Sequence, residues 1–296
     1  MVFGPVNVGK FVDARTVHLR KGGYCRTKSS WGKDGMMVSA DHFQKAVKGK
    51  SPGLPTPAFF PYDVRMPVLV LVAGTNEPSN SAVLAEAFSM GIADEGIAVE
   101  KLRLKDLSIE HFTLAHYDPS CPSGDDFCRI QDLLLSAKGL VIATPIWNFS
   151  VPAHLKNVID RIGAVALDQQ TRSRGQLKGL PVSFIFAGGA PLLAWRALMF
   201  LTTLSVTEAF KYYGATILGR HFEPRCMLGR GRFGLVVDRR PGSLQAMRRQ
   251  GKRFGRIVKT YAQTGTLPAR FQLQQKFFSF LYRVGNRIMY PIGKWQ

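Results

Sequence analysis

Residues 144–163 read TPIWNFSVPAHLKNVIDRIG. A short apolar strand, GLVIAT at 139–144, runs into a rigid Pro145, then Trp147, Asn148 and Phe149, and straight on into a helix. Leu155, Val158, Ile159 and Ile162 have the spacing of one helix face, predicting a helix over 152–162. Pro152 falls in its first turn, where a missing N–H costs nothing, and Gly163 is placed to terminate it. Flat aromatics beside a constrained backbone suit the gripping of a flat ring. The same residues can also simply cap a core.

Working outward, the same grammar repeats. MPVLVLVAG at 66–74 is apolar on both faces, as a central parallel strand must be when helices cover it twice. A helix at 80–94 follows, then IAVEKLRL at 97–104 with period-2 character, and a helix at 125–137. Beyond the opening stretch come LPVSFIFAG at 180–188, a helix to about 213, GATILGRHF at 214–222, and a helix at 242–263 ending near Gly265. Five strands alternating with helices predict an α/β fold: a five-stranded, doubly wound parallel sheet with helices on both faces. In such sheets, ligands sit beyond the carboxyl ends of the strands, at the switch point of strand order.

The loops leaving the strands therefore carry the functional reading. After the first strand, GTNEPSNSAVL places Thr75, Asn76, Ser79, Asn80 and Ser81 just before a helix. Hydroxyls, amides and the N–H groups of a helix start suit a phosphate monoester. The competing reading is a polar N-cap. There is no P-loop lysine, which argues against a nucleoside triphosphate. After the third strand, Trp147 can stack on a ring while the N–H groups of Ile146 to Phe149 meet its edge. AGGAP at 187–191 offers Gly188 and Gly189 for close backbone approach. Asp125 and Asp126 read as favourable charge at a helix start. His154 and Lys156 read as solvated helix residues, and His221 is assigned no role.

GTNEPSNSAVL and ATPIWNFSVPAHLKNVIDRI together resemble the NADPH-dependent FMN reductase family of flavodoxin-like proteins. The family carries a G-[ST]-x-R-x-x-S-x-[NS] phosphate loop and a [TS]-P-x-[YW]-N-x-[ST]-x-P-x-x-L-K-N-x-[IL]-D-[RW] segment. The second pattern is nearly complete from Thr144 to Arg161; in the first, Asn76 and Glu77 stand where an Arg is usual. The resemblance covers roughly 66–219 and implies a flavodoxin-like fold. It implies that Thr75, Ser79, Asn80 and Ser81 hold an FMN phosphate, and that Pro145, Ile146, Trp147, Asn148 and Phe149 hold the isoalloxazine edge. Gly188 and Gly189 would close over the flavin. NAD(P)H is then the electron donor, and a quinone, azo compound or free flavin the small-molecule acceptor, in a homo-oligomeric cytoplasmic enzyme. The alternatives are a flavodoxin-type electron carrier, whose acidic docking face this basic chain lacks, and a membrane-surface binding flavoprotein that has lost the enzyme activity. The cofactor carries such chemistry, so no catalytic triad is expected.

Neither basic flank belongs to that resemblance. The chain's formal charge of +20 divides into +7 over 1–65, −2 over 66–219 and +15 over 220–296. Residues 1–65, rich in Gly, Lys and Pro, read as a disordered leader and linker, or as sequence ahead of a translation start at Met66. The expected division is thus 1–65, a domain at 66–265, and an arm at 266–296. In the arm, Phe277, Phe278, Phe280, Leu281, Val284, Ile288 and Met289 lie close to one helical face, with Lys276, Arg283 and Arg287 interleaved. That pattern suits an in-plane helix on an anionic membrane, or an arm packed on its own domain or on a second subunit. Nothing resembles a zinc, helix-turn-helix or RNP motif, which argues against nucleic acid. No apolar run reaches the ~20 residues needed to span a bilayer. The four cysteines, too scattered for a scaffold, read as free thiols, and no metal site is expected.

Overall fold

The computed structural model describes residues 67–118, 124–167, 175–229 and 232–289; the expected leader at 1–65 lies outside them. Five strands form one sheet: β1 (Val68–Val72), β2 (Val99–Arg103), β3 (Gly139–Pro145), β4 (Pro181–Ala187) and β5 (Thr216–Glu223). All pairings are parallel, in the order β2-β1-β3-β4-β5. This is the flavodoxin-like order, and the expected α/β architecture is present. The helices are α1 (Asn80–Ala93), α2 (Phe127–Ser136), α3 (Ala153–Ala166), α4 (Phe200–Tyr212), α5 (Pro241–Thr264) and α6 (Ala269–Met289). A short turn at Leu192–Ala194 and a π-turn at Trp195–Met199 lead into α4.

Alternation along the strands explains the two cores. Leu69 and Leu71 point to one face, with α2, α3 and α4, where Ile130, Leu155, Ile159 and Phe210 meet Phe184. Val68, Val70 and Val72 point to the other, where α1 and α5 contribute Leu84, Phe88, Met247 and Phe254. Burial on both faces is why the three central strands are continuous apolar runs. Among the described residues, no helix is long and apolar enough to cross a membrane.

Several local expectations are corrected. Gly163 does not end α3, which continues to Ala166. It is a contact glycine instead: a Cβ there would lie 2.7 Å from the Tyr213 hydroxyl, which donates to the Ile159 carbonyl at 3.1 Å. Asp125 does more than complement a helix dipole. Its carboxylate forms a buried ion pair with Arg161 at 2.8 Å and accepts the N–H groups of Glu110 and Phe127, tying the segment after β2 to α2 and α3. Cys128 is disulfide-bonded rather than free, while Cys226 is a buried free thiol.

Candidate functional site

The strand order reverses between β1 and β3, so the loops leaving these two strands diverge and leave a crevice. A cavity of about 470 Å³ opens there, at the carboxyl ends of the strands. Thr75, Ser79, Asn80 and Ser81 line it from the first loop, Pro145, Ile146 and Trp147 from the second, and Gly188 and Gly189 from the third. Asn148 and Phe149 stand outside the lining.

In the first loop, Ser79 caps α1: its Oγ accepts the Ala82 N–H at 3.3 Å and lies 3.0 Å from the Ser81 Oγ. Both serines are buried, and Gly74 permits this, because a Cβ there would collide with both hydroxyls. The result is a compact pair of hydroxyls at the positive end of a helix. Glu77, at the departure from the family pattern, also lines the cavity, and its carboxylate is engaged by Lys105 at 2.6 Å and by Arg103. The hydrogen bond from Lys105 leads in holding this carboxyl below the usual glutamate range. Lys105 also approaches the Asp106 carboxylate at 3.8 Å, so two cations and two carboxylates balance in this cluster.

The second loop is a tight turn. Trp147 and Ser150 exchange backbone hydrogen bonds at 2.8 and 2.9 Å, with Asn148 and Phe149 both left-handed at φ 48° and 66°. This aims Phe149 outward, 67% exposed, and Asn148 into solvent. The N–H groups of Ile146 and Trp147, expected at a ring edge, donate to Ala187 and Ser150 within the protein. His154 is not a solvated helix residue. Its Nε2 donates to the Ala73 carbonyl at 2.8 Å while its ring meets Trp147 edge-on, so it fixes the second loop against the end of β1. Lys156 is an exposed helix residue, as expected, and pairs with Asp160.

The third loop is pinned to β5: Gly188 donates to the Glu223 carbonyl at 3.0 Å and accepts from Cys226 at 2.9 Å. A Cβ on Gly188 would lie 2.9 Å from the Phe222 ring, so only glycine lets this backbone pass.

Sequence reasoning missed a fourth wall. Cys226, Met227, Phe233 and Gly234, from the segment after β5, complete the cavity. Two clamps hold that segment. At one end, buried Glu223 accepts hydrogen bonds from Arg240 and Ser243, each at 2.9 Å, while Arg240 also donates to the Pro224 and Arg225 carbonyls. His221, expected without a partner, lies 3.3 Å from Glu223 and 3.3 Å from Gln250. Burial raises the Glu223 carboxyl, but hydrogen bonds from His221, Arg240 and Ser243 outweigh it and bring the pKa below the usual range. At the other end, the Asn80 amide donates to Gly234 and accepts from Val236 and Val237. One signal was available: Glu223 and Asp238 are the sole acids in 220–296. Burial pushes the Cys226 thiol up to about 12, so it faces the cavity protonated rather than as a nucleophile.

Residues 66–211 match the model described as NADPH-dependent FMN reductase. An iron-sulfur flavoprotein of Archaeoglobus fulgidus is 30% identical over 98 residues, covering 32% of this chain and 50% of that protein. The chain spans about half the length of the curated relatives it matches. Among solved structures, a flavone reductase superposes with a TM-score of 0.51 at 17% identity, covering 69% of this chain and 66% of that one. An NAD(P)H:quinone oxidoreductase from Methanothermobacter marburgensis gives 0.50 at 19%, covering 63% and 94%. At such identities these two likenesses bear on fold alone. The family match ends inside α4, so β5, the fourth wall and both clamping arginine and serine lie beyond it. With its two motif loops converging on one crevice of a flavodoxin-like sheet, the domain at 66–211 belongs to the NADPH-dependent FMN reductase family.

Proposed function

We propose that the chain is an FMN-dependent NAD(P)H oxidoreductase acting on a small-molecule acceptor such as a quinone, an azo compound or free flavin. The observation that carries this reading is the buried Ser79–Ser81 hydroxyl pair, at a helix start, on the same crevice as Trp147 and Gly188. The cradle fits a flavin mononucleotide. Its hydroxyls and helix N–H groups suit a phosphate monoester, and Lys105 and Arg103 pair with the Glu77 carboxylate on the cavity lining.

On this reading Thr75, Ser79 and Ser81 hold the phosphate with side chains and backbone. Asn80 contributes its backbone, since its amide is engaged with the fourth wall. Pro145, Ile146 and Trp147 flank the ring, with the Asn148–Phe149 turn at its rim, and Gly188 and Gly189 bring backbone close. FMN, when bound, would supply the redox chemistry between a nicotinamide donor and the acceptor. The chain's residues position the ring and exclude water. His154 keeps Trp147 in place, and Phe233 and Met227 close the cavity from the segment after β5. The remaining parts of the reading are a homo-oligomer in the cytoplasm, a leader at 1–65, a catalytic domain at 66–265 and an arm at 266–296.

The test is spectroscopic. The purified chain should be yellow, and stopped-flow mixing with NADPH should bleach it faster than free FMN. Ser81→Asp, which sets negative charge against the phosphate, should strip the colour from a folded protein. A folded Ser81→Asp variant with full flavin occupancy would overturn the cradle assignment. A yellow protein that NADPH bleaches no faster than free FMN would leave an electron carrier.

A further inference from the structure

Helix α6 has two apolar sides, and the domain uses one. Inward, Phe271 is buried, Gln275 bonds Thr216, the Lys211 ammonium sits 4.1 Å above the Phe278 ring, and Tyr282 meets Tyr212 at 5.4 Å. Outward, Leu273, Phe277, Phe280, Leu281, Val284 and Ile288 are exposed, Phe277 by 58% and Ile288 by 74%. Positions 273, 277, 280, 284 and 288 advance by three or four residues and therefore form one stripe along the helix. A domain that needed only a packed arm would have polar residues there. Isolated exposed apolar side chains need no explanation, but a continuous stripe of five, with Leu281 beside it, does.

Charge selects the occupant. Arg270, Lys276, Arg283 and Arg287 accompany the stripe, and α6 contains no acidic residue. Among the described residues none of these four has an acidic partner, whereas Arg248, Lys252 and Arg256 of α5 are engaged by Asp94 and Glu95. A second copy of α6 laid on the first would set like charges together with nothing between them. The chain's own segment at 1–65, at +7, is no more complementary. An anionic lipid surface offers both negative headgroups and an apolar layer below them.

We propose that α6 is an in-plane anchor for anionic membranes, inserting the Phe277–Phe280–Ile288 face while its inner face stays on the domain. The helix needs no release or refolding to bind, since the lipid-facing stripe is already displayed.

The full chain is mixed with vesicles of phosphatidylcholine alone and of phosphatidylcholine with an equal part of phosphatidylglycerol, at physiological salt, and pelleted. It should pellet with the anionic vesicles alone. The variant Phe277→Ser/Phe280→Ser/Ile288→Ser, and separately Arg283→Gln/Arg287→Gln, should each lower partitioning on the order of tenfold or more while the thermal transition is retained. The changed residues are solvent-facing, so folding is preserved. Equal pelleting of native and variant chains overturns the proposal. So does vesicle-independent dimerisation that the triple variant abolishes, or release of the chain from anionic vesicles into an RNA complex at the same salt. The readout does not depend on bound flavin, so it stands or falls apart from the proposed enzymatic function.

Discussion

The Asn80 side chain donates to the Gly234 carbonyl at 2.8 Å, across 154 residues of sequence. A residue whose loop reads as a phosphate cradle thus spends its amide on the opposite wall of the cavity. Asn80→Ala removes that bond and the acceptor for Val236 and Val237, in a partly buried site. The expected loss is about 1–3 kcal/mol of unfolding free energy. Chemical denaturation measures it, and an unchanged midpoint would show the wall to be held by Arg240 alone.

The Asp125–Arg161 pair is nearly inaccessible to solvent on both sides. Truncating one partner leaves the other buried and uncompensated, so Asp125→Ala should cost about 3–5 kcal/mol. The pair also predicts acid sensitivity. Burial pushes the Asp125 carboxyl up, yet hydrogen bonds from Arg161, Glu110 and Phe127 bring it below the ordinary value. A carboxyl depressed in the folded state stabilises above its unfolded pKa, and that contribution is lost as pH falls through the folded value. Stability measured in urea should therefore decline below about pH 4 in the native chain, and more shallowly in Asp125→Asn.

Arg240 bridges Glu223 and two carbonyls of the fourth wall. Arg240→Met should free the wall while leaving the sheet intact. Limited trypsin digestion, read by mass spectrometry, should then cut after Arg225 and Arg232 several-fold faster than in the native chain, since local opening sets the rate. Equal cutting rates would assign the restraint to Asn80.

Two helix glycines should respond in opposite directions. Gly163→Ala drives a methyl into the Tyr213 hydroxyl and is expected to cost about 1–3 kcal/mol. Gly285→Ala, within α6, meets open space and should stabilise the helix by about 0.5–1 kcal/mol. Thermal denaturation of the two variants decides the signs.

What could be read from sequence was whatever leaves a local mark. β1, β3 and β4 announce themselves because both their faces are covered, and the motif at Thr144 to Arg161 is contiguous. Features built from distant partners left no such mark. A helix-ending glycine and a contact glycine look alike, so Gly163 was misplaced until Tyr213 stood beside it. His154 reads as a surface residue until the Ala73 carbonyl appears at its ring, and the role of Asp125 depends on Arg161, 36 residues away. The fourth wall has no periodicity, and two clamps rather than a pattern hold it.

Parallel strands give the molecule a direction. Gln275 fastens α6 to Thr216, the first residue of β5, while Glu223, the last, fastens the cavity wall. Seven steps of about 3.3 Å separate them by roughly 23 Å. That is nearly three Debye lengths at about 0.15 M ionic strength. A cation beside Gln275, such as Lys276, is therefore largely screened from the cavity wall through solvent under those conditions. Charge at that end of the arm can rise or fall with little effect on the electrostatics of the cavity.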